Sequence, residues 1–518
     1  MMQLDRKKDW LVDPFMSNWP NHFSMPKRPI FQEIALTPWT PDLTRQEWLF
    51  REIRSAILEG RLRRGARLPS SRNLAVRNQL SRSTVTEVFR RLTLEGYITG
   101  SIGSGSYVAE NLPDAFFRGA AGRNARPITP AARAASLIQS RPRPAQPGRK
   151  FGVAFQASFP AVDEFPIDIW TRLNGRVLRT LTAQHLAFGD PRGDIGLRDQ
   201  ILAHFGPARQ VRADVDQVIV VQGVQQALDL ICRVLLLPGD TVWMEEPGYE
   251  GARSIFETAG AAIIPVPVDQ RGLDVDRAIK TLPIPKIVYL TPAHQYPTGV
   301  PLSLDRRFKL LCWARENKVI LFEDDYDGDY RFTTKPLGSM QGIDAGCYRS
   351  ARGVAYFASF SKLLFPSLRL GFLVLPTDLI EPVLALRKSV DRYVPVVEQK
   401  ALAEFMRTGE FGHHLRRMRE LYAERWSVFS EAAGAYLSDW LDIQPTECGL
   451  QTAGWLAPGI SDLEATKAAE REHLEVFPIS TLYAGKKRRH GLLLGFGAVA
   501  PRELRAGAQR LATVLKTI

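Results

Sequence analysis

The chain contains few cysteines and no long apolar run. Its four cysteines, Cys232, Cys312, Cys347 and Cys448, are scattered over 518 residues and show neither metal-site spacing nor a disulfide framework. No apolar stretch approaches the length that crosses a bilayer, and the first ten residues lack the apolar segment of a signal peptide. We therefore expect a cytoplasmic protein without a membrane partner.

Histidine is also scarce, with eight residues in the chain. Two of them, His413 and His414, are adjacent, but neighbouring side chains on a helix point in different directions and do not converge on one ion. The sequence therefore predicts no metal site.

The excess of positive charge is confined to the first part of the chain. Lysine and arginine number 68 against 55 for aspartate and glutamate, a net charge of +13. Residues 1–112 hold 17 basic and 11 acidic side chains, residues 113–150 hold 8 and 1, and residues 151–518 hold 43 of each. A basic segment on a neutral body indicates that only the N-terminal part binds an anionic polymer.

A chain of this length is too long for one hydrophobic core, so several domains are expected. Residues 1–43 show no regular period and are interpreted as an N-terminal extension. Residues 44–112 carry helical and hairpin patterns, and residues 113–150 form a linker rich in proline, alanine and arginine. This linker is either a passive tether or a segment that adds phosphate contacts. Residues 151–518 alternate strand and helix patterns.

Three helices and a hairpin are predicted within residues 44–112. The first helix begins near Leu43 and ends at Gly60, and the second follows a turn with a serine cap before Leu74. Ser81 caps the third helix, whose apolar residues recur every three or four positions. A glycine-tipped hairpin over residues 102–108 completes the pattern of a winged helix-turn-helix.

The start of the third helix carries polar side chains suited to reading DNA. Arg82, Ser83 and Thr84 occupy its first turn, the part that enters the major groove in helix-turn-helix proteins. The segment resembles the GntR family of bacterial winged-helix regulators. The matching pieces are residues 68–72, 81–85, 94–98 and 103–105. The DNA-binding residues implied by the resemblance are Ser71, Arg72, Arg82, Ser83, Thr84, Gly103 and Gly105.

The body of the chain alternates short apolar runs with helical patterns. The predicted strands span residues 217–221, 241–244, 262–265, 286–290, 319–322, 354–358 and 370–375. Helices are predicted between most of them, which indicates an α/β sheet with ligand-binding loops at the strand ends.

One lysine in this body lies among hydroxyl groups. Ser359, Ser361 and Lys362 fall within four residues, and Arg369 follows seven residues after the lysine. This arrangement suits a lysine that forms a Schiff base with a phosphorylated aldehyde, whose phosphate the hydroxyls and the arginine would hold.

Other strand ends add groups that suit the same cofactor. Asp324 could hold a protonated ring nitrogen, Tyr326 could donate to a phenolate oxygen, and Tyr249 could stack on the ring. Residues 223–225 open a helix, whose N–H groups could bind a phosphate.

In this order the motifs resemble the fold-type I, class I/II aminotransferases, which use pyridoxal 5′-phosphate (PLP), over residues 151–518. The resemblance implies that Lys362 forms the Schiff base, Asp324 pairs with the pyridine nitrogen and Tyr326 bonds the ring 3′-oxygen. It also implies that Tyr249 stacks on the ring. The phosphate-binding residues that it implies are Val224, Gln225, Ser359, Ser361 and Arg369.

A winged helix joined to such a body by a long linker is the plan of the MocR/GabR subfamily of GntR regulators. Residues 292–299, 323–327 and 492–497 match this subfamily closely. The resemblance implies a head-to-tail homodimer that binds double-stranded operator DNA and senses an amine, an amino acid or PLP through an aldimine at Lys362. An active aminotransferase with an accessory DNA-binding domain is the alternative, and a residual transaminase half-reaction stays open.

Three positions depart from the aminotransferase pattern. Tyr296 stands where an asparagine usually precedes Pro-Thr-Gly, Phe188 replaces the tyrosine that reaches the neighbouring subunit, and Leu493 replaces an arginine that binds the substrate carboxylate. Residues 486–489 are all basic and are either a solvated loop or a source of the missing charge. These departures favour regulation over turnover.

Overall fold

The computed structural model describes residues 36–39, 41–101, 105–112, 152–332, 337–347, 353–485 and 488–518. The chain divides into two compact units, Met1–Thr129 and Pro130–Ile518, and each is described by itself. The linker predicted at residues 113–150 and most of the predicted extension lie outside the described residues.

The first unit contains three helices and a hairpin. They are α1 (Arg45–Leu58), α2 (Ser71–Arg77), α3 (Arg82–Leu94), β1 (Ile98–Ser101) and β2 (Gly105–Val108). Each helix begins at a hydroxyl cap, because the side chains of Thr44, Ser70 and Ser81 accept hydrogen bonds from backbone N–H groups in the first turn. The strands β1 and β2 pair antiparallel, so the predicted winged helix-turn-helix is confirmed.

A single apolar core holds this unit together. Ile53 on α1 and Val85, Val88 and Leu92 on α3 are fully buried, as their helical spacing predicts. Burial of such side chains stabilises the fold by about 1.5–3 kcal/mol each. Leu36, from the end of the predicted extension, also packs against this core.

The second unit has fourteen described helices and two sheets. Its helices are α4 (Ile167–Thr180), α5 (Ala183–Ala187), α6 (Ile195–Arg209), α7 (Val224–Leu235), α8 (Glu250–Ala259), α9 (Val275–Thr281), α10 (Leu304–Glu316), α11 (Met340–Cys347), α12 (Phe360–Leu363), α13 (Thr377–Val390), α14 (Val396–Arg407), α15 (Glu410–Tyr436), α16 (Asp462–Arg471) and α17 (Pro501–Lys516). Its strands are β3 (Val218–Val221), β4 (Thr241–Glu246), β5 (Ala262–Asp269), β6 (Gly272–Leu273), β7 (Ile287–Leu290), β8 (Ile320–Asp325), β9 (Val354–Ser359), β10 (Gly371–Val374), β11 (Leu441–Ile443), β12 (Gln451–Leu456), β13 (Phe477–Pro478) and β14 (Gly491–Gly495). None of the described helices is both long and apolar enough to cross a membrane.

The larger sheet has eight strands in the order β3-β10-β9-β8-β7-β4-β5-β6. Strands β9, β8, β7, β4 and β5 pair in parallel, and β10 is antiparallel to both β3 and β9. Strands β3, β7, β9 and β10 are buried along their whole length, as expected for a sheet with helices on both faces. This is the architecture of a fold-type I aminotransferase, so the predicted fold class is confirmed.

The smaller sheet has four antiparallel strands in the order β11-β12-β14-β13. Leu492 and Leu494 of β14 face the main core, where Leu504, Leu511 and other residues of α17 pack. Leu493 faces the opposite side, toward Ala453 of β12. The alternation follows from the two-residue period of a strand.

Strand β8, like β4, β5 and β9, extends further than the sequence predicts. The prediction ended the strand at Phe322, with the acidic residues in the loop that follows, but β8 continues to Asp325. The pairing of Asp324 with Phe357 and of Asp325 with Ala358 carries these carboxyls into the sheet. Tertiary pairing has therefore overridden the low strand propensity of aspartate.

Candidate functional site

Strand ends at one edge of the larger sheet carry the predicted cofactor residues. Strands β3, β9, β8, β7 and β4 run in the same direction, so their carboxyl ends meet at this edge. Asp324 lies at the end of β8, Lys362 lies in α12 directly after β9, and Tyr249 follows β4. The sheet thereby brings together side chains that are far apart in sequence.

The carboxyl group of Asp324 is buried and has one oxygen without a partner. Its Oδ2 accepts a hydrogen bond from the hydroxyl of Tyr289 at 2.7 Å, while Oδ1 has no partner among the described residues. Burial raises the pKa of Asp324 to about 7, although the bond from Tyr289 opposes this rise. An unpaired carboxylate oxygen at this depth fits a protonated ring nitrogen, which would supply both a donor and a positive charge.

The amine of Lys362 is prepared for covalent chemistry. Burial lowers its pKa to about 8, and the attraction of Asp327 and Asp324 limits this decrease. Its Nζ donates to the backbone carbonyl of Ser158 at 2.5 Å. A lysine with such a pKa is partly neutral near pH 7, and the neutral amine is the form that attacks an aldehyde.

The predicted phosphate site lies where α7 begins. Gly223 caps this helix at φ +116°, and a Cβ there would lie 3.4 Å from Nη2 of Arg369. The guanidinium group therefore lies beside the N–H groups of Val224 and Gln225, which open the helix. Helix N-termini and arginine both bind anions, so this arrangement fits a phosphate.

The predicted serines lie at the start of α12. The hydroxyl of Ser359 accepts a hydrogen bond from the N–H of Ser361 at 3.1 Å and caps the helix that carries Lys362. Ser359 therefore positions the helix turn that carries the lysine.

The predicted cofactor residues Tyr249 and Tyr326 are connected through the ring of Tyr296. Tyr249 lies edge-on to Tyr296 with ring centroids 5.7 Å apart, and Tyr296 lies edge-on to Tyr326 at 6.2 Å. The hydroxyl of Tyr249 receives a hydrogen bond from Gln225 at 3.0 Å. Burial raises the pKa of Tyr249 to about 12 and those of the other two hydroxyls well above the usual value, so all three remain protonated donors.

The sequence did not predict roles for several partners of these residues. Tyr289, which donates to Asp324, lies on the neighbouring strand β7, and no local pattern indicates that pairing. His294 and Asp327 form a buried pair, with Nδ1 of His294 3.0 Å from each carboxylate oxygen. Both residues fall within segments that resemble the MocR subfamily, and this resemblance was the sequence signal from which a role could have been inferred.

The structure places two of the three departing residues as follows. Phe188 is 74% exposed. Leu493 is fully buried in an apolar cluster with Ala453, Trp455 and Ile479. An apolar side chain therefore occupies the position predicted for the substrate-binding arginine.

The basic stretch at residues 486–489 is only partly described, since Lys486 and Lys487 lie outside the described residues. Arg489 lies over the ring of Trp455 at 4.3 Å and 3.9 Å from a carboxylate oxygen of Asp442. Its charge therefore has other partners, and of the two alternatives the solvated loop describes Arg489 better.

The first unit presents the predicted DNA-binding residues at its surface. Arg72, Arg82 and Ser83 are exposed, whereas Ser71 and Thr84 are half-buried. The hydroxyl of Ser81 lies 2.7 Å from the hydroxyls of both Ser83 and Thr84. These two hydroxyls therefore belong to the helix cap, and the arginines are the freer candidates for contacts to DNA.

Of the two predicted wing glycines, Gly103 lies outside the described residues. Gly105 adopts φ +97°, and a Cβ at this position would lie 2.9 Å from Nε of Arg67. Glycine therefore lets an arginine side chain lie against the wing, next to the turn that precedes α2.

Comparison with known proteins supports both halves of the chain. Residues 45–108 match the family of bacterial regulatory proteins, gntR family, and residues 170–449 match the aminotransferase class I and II family. The structure of LysN, an α-aminoadipate aminotransferase of Thermus thermophilus complexed with N-(5′-phosphopyridoxyl)-L-leucine, is similar with a TM-score of 0.65. Its sequence is 26% identical, over 75% of this chain and 95% of that chain.

Two curated regulators match almost end to end. The chain is 35% identical to the probable rhizopine catabolism regulatory protein MocR of Rhizobium meliloti, over 91% of this chain and 93% of that protein. It is 32% identical to the HTH-type transcriptional regulator TauR of Rhodobacter capsulatus, over 91% of this chain and 96% of that protein. With its unpaired Asp324 oxygen, its low-pKa Lys362 and its winged helix, the chain belongs to the MocR group of GntR-type transcriptional regulators, which join a winged helix-turn-helix to a PLP-binding aminotransferase-like domain.

Proposed function

We propose that this protein regulates transcription in response to a small amine, an amino acid or PLP itself, which its aminotransferase-like unit senses through Lys362. The observation that carries the proposal is the lowered pKa of Lys362 beside the unpaired oxygen of Asp324, in a chain that also presents Arg72 and Arg82 on a winged helix. The domain boundaries predicted above, at residues 44, 113 and 151, are part of the proposal.

Each part of the site has a separate task. Asp324 would hold the ring nitrogen, the start of α7 and Arg369 would hold the phosphate, and Tyr249 would cover one face of the ring. When bound, PLP supplies an electrophilic carbon at which one amine nitrogen can replace another. As a free amine, Lys362 donates to the carbonyl of Ser158, which would hold the lysine while an effector amine is bound.

Ser158 links this exchange to the smaller sheet. Its backbone carbonyl accepts from Lys362, and its hydroxyl donates to Oε1 of Gln451 on β12 at 2.7 Å. Covalent attachment of the lysine would therefore break this contact, and its release would restore it, at a residue bonded to β12. An effector shifts such an equilibrium only as far as it binds one state more tightly than the other.

An exposed apolar face supports a homodimer. Leu178 of α4, Leu186 of α5 and Phe188 are 56%, 71% and 74% exposed. A contiguous exposed apolar patch is typical of a protein interface, and these three side chains lie within ten positions of one another in the sequence. We propose that a second copy covers this face in a head-to-tail dimer, and that two winged helices then bind paired half-sites of operator DNA.

The first test is the visible absorption spectrum of the full-length protein beside that of Lys362→Ala. The parent is expected to show a cofactor band that the variant lacks or shifts, and the band should change when the effector amine is added. Operator footprints with and without that amine should differ. No band in the parent after PLP is added would contradict the proposal.

The alternative function is tested by the same samples. Rapid formation of a keto acid from an amino donor would identify an active aminotransferase. The buried Leu493 leads us to expect little or no turnover with amino acid donors.

A further inference from the structure

A buried histidine–aspartate pair lies directly behind Tyr326. His294 is 3% exposed and Asp327 is 2% exposed. Nδ1 of His294 lies 3.0 Å from both carboxylate oxygens of Asp327 and 3.1 Å from the hydroxyl of Tyr326. The rings of His294 and Tyr326 are nearly parallel, with centroids 5.9 Å apart. One ring nitrogen therefore faces two polar partners.

Asp327 determines which nitrogen of His294 carries the hydrogen. A carboxylate accepts hydrogen bonds and repels a bare nitrogen lone pair, so the hydrogen is expected on Nδ1. The other nitrogen, Nε2, is buried and has no partner among the described residues, and it lies next to Gly299. A bare Nε2 is tolerated there more easily than an unsatisfied N–H group.

The hydrogen on Nδ1 in turn orients the hydroxyl of Tyr326. Because Nδ1 carries a hydrogen that it donates to Asp327, it has no lone pair with which to accept from this hydroxyl, and the hydroxyl hydrogen must point away from the imidazole ring. We propose that His294 and Asp327 are positioning residues, which keep the hydroxyl hydrogen of Tyr326 available for donation to the ring oxygen of the bound cofactor.

The pair would replace a donor that the sequence lacks. Tyr296 occupies the position of the usual asparagine, so an amide donor to the ring oxygen is missing. Tyr296 instead lies edge-on to Tyr326, and its pKa is raised well above the usual value by burial. Tyr326 would then be the single donor to the ring oxygen. The direction of its hydroxyl hydrogen therefore matters more than it would if a second donor were present.

Among the described residues, the hydroxyl of Tyr326 makes no hydrogen bond to the other groups around it. The titratable groups that face Tyr326 are Asp327, Cys448, Tyr296 and Asp324. Asp327 accepts from His294, Oδ2 of Asp324 accepts from Tyr289, and Oδ1 of Asp324 is the oxygen proposed above to hold the ring nitrogen. The thiol of Cys448 is aimed at the backbone carbonyl of Asp327 at 3.7 Å.

His294, Asp327 and Cys448 lie close enough together for a metal ion, with their ligand atoms within 4.8 Å of one another. Burial raises the pKa of the Cys448 thiol well above its usual value, whereas a metal ion binds the thiolate. The hydrogen-bonded interpretation therefore fits these three side chains better.

The test is a pH titration of the visible absorption band of the full-length, PLP-loaded protein. A hydrogen bond donated to the ring oxygen weakens its hold on the proton that it shares with the nitrogen of Lys362. In His294→Leu the unpaired Asp327 is expected to attract the Tyr326 hydrogen away from the ring. The midpoint should then rise by about one pH unit, in the same direction as in Tyr326→Phe.

Two further variants show whether His294 acts through Tyr326. His294→Asn keeps an N–H group near the Nδ1 position and is expected to titrate close to the parent. The double variant His294→Leu/Tyr326→Phe should have the midpoint of Tyr326→Phe alone, because the second change has nothing left to orient. His294→Phe keeps the ring beside Tyr326 and serves in place of His294→Leu if that variant does not fold.

An unchanged midpoint in His294→Leu would overturn the proposal, as would an additive shift in the double variant. The inference rests on the proposed PLP site, and the two failures are distinguishable. If the proposed PLP site is wrong, the parent shows no band. If only this inference is wrong, the band is present and His294→Leu titrates with the midpoint of the parent.

Discussion

Asp324 shows how one residue can connect cofactor binding to stability. Its carboxyl group is buried in β8, and one of its oxygens lacks a partner among the described residues. A buried carboxylate without a positive partner is costly, and the rise of its pKa to about 7 expresses that cost. A protonated ring nitrogen would supply that partner, and the ionised form of the carboxyl group would then be favoured over the protonated form.

We expect the cofactor-free protein to lose stability as the pH rises from about 4 to 7, in part through Asp324. In this range the unfolded carboxyl ionises while the folded one keeps its proton, so the unfolded state binds fewer protons and the free energy of unfolding falls. The rise in pKa from 3.8 to about 7 corresponds to roughly 4 kcal/mol at most.

Denaturant unfolding of the cofactor-free parent and of Asp324→Asn at pH 4 and pH 8 measures this effect. From pH 4 to pH 8, the free energy of unfolding of Asp324→Asn should rise relative to that of the parent. The free energy of unfolding of the exposed control Asp439→Asn should not. With PLP bound, the order at pH 8 should reverse, since the variant then lacks the charge that holds the ring nitrogen. Equal pH dependence in parent and variant would remove the assignment.

Among single residues, sequence motifs predicted those proposed to contact the cofactor. They did not predict the residues that orient these contacts. Lys362 and Asp324 belong to short motifs, whereas Tyr289 contacts Asp324 from another strand and is 35 positions away. Such pairings depend on strand order and register, which the local pattern does not contain.

Among the elements, α3 combines structural and recognition tasks in its first turn. Ser81 caps the helix, and the hydroxyls of Ser83 and Thr84 bond to the cap. Arg82 is exposed beside them, and Arg90, two turns later, is paired with Glu87. The helix therefore offers a test residue and a matched control of the same charge.

Arg82→Ala is expected to weaken specific operator binding by about 1–3 kcal/mol if the side chain contacts a base. Arg90→Ala removes the same charge from the same helix and should have a much smaller effect. Titration of both variants against operator and unrelated DNA at one salt concentration measures the difference. Equal losses on both DNAs would indicate a phosphate contact in place of base recognition.

The elements themselves were largely predictable, and their ends were less so. The spacing of apolar residues in α1 and α3 and the serine caps predicted the helices, and the buried runs predicted β3, β4 and β9. The predicted end of β8 was wrong by three residues, because pairing with β9 continues the strand past its apolar run.

On the scale of the whole molecule, the net charge is divided between segments with different tasks. The excess of positive charge falls within residues 1–150, and residues 151–518 carry equal numbers of acidic and basic side chains. A neutral body can associate with its own copy without electrostatic repulsion, while the basic segments attract DNA.

The proposed dimer face gives a direct test. Phe188→Asp should shift self-association to higher protein concentration, because a charge would be buried in the apolar interface. Leu237→Asp is a matched control, since Leu237 is 73% exposed and Phe188 is 74% exposed. Sedimentation velocity over a range of concentrations distinguishes the two variants, and identical profiles would place the interface elsewhere.

Gly449, which precedes β12, sets a geometric limit on the cofactor site. It adopts φ +84°, and a Cβ there would lie 2.4 Å from Oδ2 of Asp327 and 2.4 Å from Cε1 of His294. Its N–H also donates to the carbonyl of Tyr330 at 3.0 Å, so the backbone has little freedom to retreat. The mutational tolerance of the site is thus limited by a residue with no side chain, which bonds to neither the histidine nor the aspartate. A randomised codon at this position, selected for the cofactor band, would return glycine.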